Sequence, residues 1–292
     1  MRKRFFAIAL VVAFVSMAAA QQPPAAGRGG APDNVAPARQ LKPGFFLITG
    51  AGANTAVRVT PEGLIVVDCK NPTTETNNIF AAFNAQLKAV SPLPVKYILN
   101  THHHPDHTGN NGALVDLGAK VIGLEALKTN MAADPRTAQI AGRPTETFAK
   151  DYVLKFGGVQ VEAHHYGNAH TNDDTVVYFP DLKIAMISDT VTDTNPVVDW
   201  ANGGSVLGWK TSLDAILKLD FEIAIPGRGE PRPKADVAAF KTKIDTVIDR
   251  GNAAIKAGAT KDTFMAQVKI DDLGWMEQKA FFDNLYDELT KK

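Results

Sequence analysis

The segment Asn100-Thr101-His102-His103-His104-Pro105-Asp106-His107 gathers most of the metal-binding chemistry of this 292-residue chain. Seven histidines are present in all, and four of them fall between positions 102 and 107. Imidazole nitrogens and carboxylate oxygens are good zinc ligands. In an extended loop, residues two apart share a face, so His102 and His104 can chelate one ion while His103 points away. Asp106 and His107 come next along the turn and can reach a second position.

A cluster of this kind needs a rigid element behind it. Val95 to Leu99 is a short apolar run that reads as a buried strand ending at Asn100, so the ligand loop starts where a strand stops. Before it, Phe45–Ile48, Thr55–Val59 and Leu64–Val67 read as strands joined by tight turns, and 74–87 carries apolar residues at helical spacing. After it, a short helix is expected over 108–117 and a strand over 120–122. Residues 134–150, with Pro135, Gly142 and Pro144, show no clean period and read as an irregular surface segment of the kind that forms lids. A second block of strands follows at 152–156, 159–164, 175–179 and 184–187, then helix 205–219, strand 223–225 and amphipathic helices 235–255 and 275–289. Two strand blocks, each followed by helices, argue for two packed sheets with helices outside, as α/β or α+β layers.

The N-terminus has a basic cluster, Arg2-Lys3-Arg4, an apolar run from Phe5 to Met17, and Ala18-Ala19-Ala20. Residues 1–20 therefore read as a secretory signal peptide, too short in its apolar part to span a bilayer, which predicts a secreted or periplasmic protein with no stable membrane insertion after cleavage. Residues 21–43, rich in Pro, Gly, Ala and Gln, are expected to be a flexible tether, leaving 44–292 as a single domain. Lysine plus arginine (31) equal aspartate plus glutamate (31), so nothing points to nucleic acid, and a small-molecule substrate is expected. The lone cysteine, Cys69, cannot form an internal disulfide and reads as a small buried apolar residue.

His102-x-His104-x-Asp106-His107 resembles the signature of the metallo-β-lactamase superfamily, and other pieces follow in that superfamily's order. Val66-Val67-Asp68 resembles its first motif, Gly167-Asn168-Ala169-His170-Thr171 the motif of a third histidine, and Ile187-Ser188-Asp189-Thr190 the motif of a bridging aspartate. The resemblance implies an α+β four-layer αββα sandwich. It also implies zinc, one or two ions per chain, with His102, His104 and His170 on one ion and Asp106, His107 and Asp189 holding or orienting a second. Three neutral imidazoles would leave zinc an open position and lower the pKa of a bound water to about 7, with Asp106 placed to orient it or take its proton. Asp68 would support the loop by accepting a hydrogen bond.

One motif departs from the pattern. Where the superfamily usually has Pro-Gly-His-Gly, this chain has Pro226-Gly227-Arg228-Gly229. Arginine has no lone pair to give, and its charge would repel a second ion and could pair with Asp106 or Asp189. Alternatively Arg228 points away and pairs with Glu230. His164 and His165 are the remaining histidines that could compensate as ligands. The expected activity is an exported zinc-dependent hydrolase acting on an activated carbonyl (β-lactam, lactone, ester or thioester), with one catalytic zinc and with Asp106 and Arg228 as catalytic groups. A metal-containing binding protein with little turnover and an iron-holding redox variant are the competing classes.

Overall fold

The computed structural model describes residues 34–291, so the expected signal peptide at 1–20 and residues 21–33 of the expected tether lie outside the described residues. The first half of the described chain runs β1 (Arg39–Lys42), β2 (Phe45–Ile48), β3 (Thr55–Thr60), β4 (Gly63–Val67), α1 (Ile79–Val90), β5 (Val95–Leu99), α2 (Pro105–Thr108), α3 (Asn111–Asp116), β6 (Lys120–Leu124), α4 (Glu125–Ala133) and β7 (Glu146–Phe148). Its strands form a seven-stranded sheet in chain order, antiparallel up to β4 and parallel from β4 to β7. The second half runs β8 (Asp151–Phe156), β9 (Val159–His164), β10 (Val176–Phe179), β11 (Ile184–Ser188), α5 (Val206–Ile216), β12 (Ile223–Pro226), β13 (Arg232–Pro233), α6 (Lys234–Lys256), α7 (Lys261–Gln267) and α8 (Lys279–Thr290). These strands form a six-stranded sheet in the order β13-β12-β11-β10-β9-β8, with β11 and β12 parallel.

The period of two in the strands builds the layers. In β4, Ile65 and Val67 face a core shared with Val177, Phe179 and Met186 of the second sheet, while Leu64 and Val66 face outward onto Phe83 and Leu87 of α1 and Leu114 of α3. The outer face of the second sheet packs Ala185 and Ile187 against Trp209 and Leu213 of α5, Ile244 of α6, Phe264 of α7 and Phe282 of α8. The expected αββα sandwich is the observed architecture, with three apolar layers separating four layers of secondary structure.

Several boundaries differ from expectation. The end of the segment expected to be a tether is strand β1: its backbone pairs with β2, with Arg39 opposite Leu47, and the Lys42 Nζ donates to the Leu182 carbonyl at 2.6 Å. An edge strand can be polar because its backbone, not its side chains, carries the pairing. The helix expected at 108–117 is α3, over 111–116, and a separate short helix, α2, precedes it. Pro105 starts α2 directly after His104, and Gly109 ends it where a Cβ would lie 2.1 Å from the Pro72 nitrogen. The irregular segment 134–150 contains β7 and is anchored at its start by buried Asp134 and Thr137.

Candidate metal centre

The chemistry-bearing residues stand at one edge of the sandwich, where parallel strands end. Asp68 follows β4, the His102–His104 loop and α2 follow β5, Asp189 follows β11 and Arg228 follows β12. His170 enters on the loop before β10, which runs antiparallel to β11 and so begins at the same edge. Asp68 and Ser188 both have left-handed backbone, with φ of 64° and 50°, which non-glycine residues adopt at a cost.

His102, His104 and His170 form a near-equilateral triangle, with ring centroids 4.6, 4.7 and 4.7 Å apart. Their donor nitrogens could hold one metal ion, and His102, His107 and Asp189 form an adjoining group that could hold another. Outward hydrogen bonds decide which nitrogen faces inward. His104 Nε2 donates to Asp199 at 2.7 Å, His107 Nδ1 to Asp68 at 2.8 Å and His170 Nδ1 to the Val197 carbonyl, so each ring carries its proton on the outer nitrogen. Burial, aided for His102 by the neighbouring histidines, lowers the pKa of His102 well below the usual value and that of His104 to about 3, which keeps both neutral.

Bare lone pairs therefore converge. His104 Nδ1 and His170 Nε2 are 3.1 Å apart with both ring protons committed elsewhere, and the Nε2 atoms of His102 and His107 are buried without a hydrogen-bond partner. Buried nitrogen lone pairs in this density are costly unless a cation accepts them, so the donor set fits a metal ion. Asp68 does what a loop support should do: it accepts from the Thr101 backbone at 2.8 Å, from the Thr101 hydroxyl at 2.7 Å and from His107.

Arg228 points into the site. One terminal nitrogen bonds Asp106, and the other lies 3.1 Å from Asp189 Oδ2 and 3.4 Å from Oδ1. Glu230, the alternative partner, bonds Arg39 instead at 2.5 Å. A Cβ at 227 would come within 1.7 Å of Asp189 Oδ1, so glycine there lets the backbone pass beside that carboxylate as it stands. The guanidinium thus places one positive charge on two carboxylates of the second position, and His107 Nε2 lies 3.5 Å from Asp106 and 3.6 Å from Asp189.

His164 and His165 do not join the site. His164 pairs with Asp151 at 2.7 Å and Glu162 at 3.2 Å, and His165 donates to the Asp174 carbonyl at 2.8 Å, bracing the His170 loop. Asp174 in turn accepts from the backbone of Ala169 and Thr171 and from the Thr171 hydroxyl. Cys69 is fully buried, with burial pushing its thiol pKa up, and Trp209 is a core residue donating to the Thr190 carbonyl.

Sequence reasoning missed a charged network behind His104. Asp199 accepts from His104, from Arg136 at 2.6 Å and from Asn202 at 3.0 Å; burial alone would raise its pKa, but these donors hold it well below the usual carboxylate range. Arg136 also bonds Asp134, and Asp134 together with Asp173 flanks the buried His103. The one sequence signal was an acid in the loop after Asp189, without a motif to mark it.

The family model of the metallo-beta-lactamase superfamily matches residues 49–228, a span that begins directly after β2 and ends on Arg228. The chain belongs to this superfamily. Metallo-beta-lactamase type 2 of Bacillus cereus is 27% identical over 194 residues, covering 64% of this chain and 71% of the relative. A linear primary-alkylsulfatase of a Pseudomonas species is 24% identical over 262 residues, 72% of this chain, and the chain spans only 48% of that relative's length. Among solved structures, a metallo-beta-lactamase from Pontibacter korlensis superposes with a TM-score of 0.62 at 21% identity, covering 73% of this chain and 99% of its own. As a metallo-beta-lactamase superfamily member with this donor set, the protein is a metal-dependent hydrolase, and α6, α7 and α8 lie beyond the span of the superfamily model.

Proposed function

We propose that the protein is an exported hydrolase that holds one zinc ion on His102, His104 and His170 and attacks an activated carbonyl, such as a lactam, lactone, ester or thioester. The observation that carries this reading is the Arg228 guanidinium lying on Asp106 and Asp189, where a second ion would otherwise take its carboxylate ligands. When bound, zinc supplies Lewis acidity and makes a nucleophile available at neutral pH.

The side chains supply the rest. The Asp106 carboxylate orients the attacking water and accepts its proton. Arg228, shared between two carboxylates, offers fixed positive charge to a developing anion on the leaving group or to a substrate carboxylate, the part a second metal plays in two-ion sites. His107 and Asp189 stand beside it, 3.6 Å apart. The basic and apolar N-terminal segment supports export, and the neutral charge balance supports a small-molecule substrate without nucleic acid.

A second reading, sulfate-ester hydrolysis, is favoured by one observation: the match to the alkylsulfatase runs over 262 residues, against 194 for the Bacillus cereus relative. Turnover of chromogenic lactam, lactone and sulfate-ester substrates separates the two. The metal reading is tested by elemental analysis of purified protein: about one zinc per chain in wild type, rising to about two in Arg228→His. Two ions in wild type would overturn it.

A further inference from the structure

Arg228 sits between Gly227 and Gly229, two residues without side chains to fix the backbone on either side, and Gly229 has a left-handed φ of 83°. A guanidinium on a long flexible stem stays on two carboxylates only if the backbone beneath it is held. One residue does the holding. The Asn54 backbone N–H donates to the Gly227 carbonyl at 2.7 Å, and its Nδ2 donates to the carbonyls of Pro226 and Gly229, each at 2.9 Å. The carbonyls that bracket Arg228 are thus tied to a single side chain and its own backbone, 172 residues away in sequence from Pro226.

The segment is itself braced on the other partner. Ala53 donates its N–H to the Asp106 carbonyl at 3.1 Å, and the Lys70 ammonium, fully buried, donates to the carbonyls of Ile48 and Ala53, each at 2.6 Å. Two adjacent residues, Ala53 and Asn54, therefore grip both ends of the Arg228–Asp106 pair. Asn54 is 2% exposed, and an amide NH2 is the side-chain group that offers two donors at one point, one for each carbonyl.

We propose that Asn54 is a positioning residue that holds Arg228 between Asp106 and Asp189 and so keeps a second metal ion out. This rests on the one-zinc reading. It assigns Asn54 an effect on metal count, which a merely structural turn residue would not have.

The test is a double-mutant cycle read by zinc per chain and by the ratio of kcat to KM effects, with wild type, Asn54→Ala, Arg228→Ala and the double variant. The expected result is about one zinc in wild type, about two in Arg228→Ala, a count rising above one in Asn54→Ala as zinc is raised, and no further change when Asn54→Ala is added to Arg228→Ala. Asn54→Ser, which keeps one donor, should shift the count in the same direction by less. If Asn54→Ala stays at one zinc while Arg228→Ala reaches two, the role of Asn54 is overturned and the one-zinc reading stands. If wild type already holds two, the one-zinc reading itself falls. Failure of both Asn54 variants to fold would assign the residue to stability alone and would also overturn the inference.

Discussion

His104 and Asp199 are joined by a 2.7 Å hydrogen bond on the side of the imidazole that faces away from the histidine triangle, and that bond fixes which nitrogen of His104 is free for a metal. Asp199 lies outside the triangle of His102, His104 and His170 and reaches it through this bond. Its carboxylate decides the ring's tautomer and orientation.

Replacing Asp199 by alanine should therefore weaken zinc binding by roughly 10–100-fold while leaving the ligand count unchanged. Competition with a chromophoric chelator measures this. An unchanged affinity would mean that packing alone orients His104.

Arg228→Ala leaves two poorly exposed carboxylates side by side, with side-chain exposures of 9% for Asp106 and 5% for Asp189. In metal-free protein this should cost about 2–3 kcal/mol, less than a fully buried pair because the Arg228 side chain is 25% exposed. Added zinc should restore the loss, since an ion can then occupy the same carboxylates. Urea midpoints with and without zinc report both effects.

His103 gives a pH dependence. Burial opposes its charge, but Asp173 at 2.9 Å and Asp134 at 3.2 Å outweigh burial and raise its pKa above the usual 6.5. A raised histidine stabilises the fold fully below the unfolded value and loses that contribution as pH climbs through the folded value. Urea midpoints between about pH 6 and pH 9 should accordingly fall more steeply in wild type than in His103→Gln. Parallel curves would contradict this.

Glu288 on α8 caps the start of α5 from outside, bonding the Ser205 hydroxyl and accepting from the backbone of Val206 and Leu207, each at 3.0 Å. Glu288→Ala should destabilise the protein by about 1–2 kcal/mol, as loss of a helix cap and of a favourable dipole contact does. Calorimetry checks the cost, and a wild-type zinc count in the variant checks that the metal centre is untouched.

Four candidate ligands were legible because they are local, whereas His170 and Asp189 came only from the resemblance of their motifs. His102 and His104 lie in the loop after β5 and Asp106 and His107 in α2, which follows it directly, and the alternation of apolar residues in β4, β5, β10 and β11 exposed the sheets that carry them. The tendency of Arg228 to pair with Asp106 or Asp189 followed from its charge, and the structure selects both at once. Asp199, Arg136, Asn54 and Glu288 were not legible. Each acts across a separation of 63 to 172 residues, through a polar group whose neighbours in sequence form no pattern. Strand β1 escaped for a related reason: edge pairing uses backbone groups, which every residue except proline offers alike.

The Arg228 charge is part of the polypeptide, and that has a bearing on supply. A site that recruits two ions loses occupancy with the square of their concentration when the medium is depleted, whereas a charge attached by covalent bonds cannot be diluted away. Under the one-zinc reading proposed above, guanidinium on Asp106 and Asp189 lowers the dependence on the surroundings to the first power.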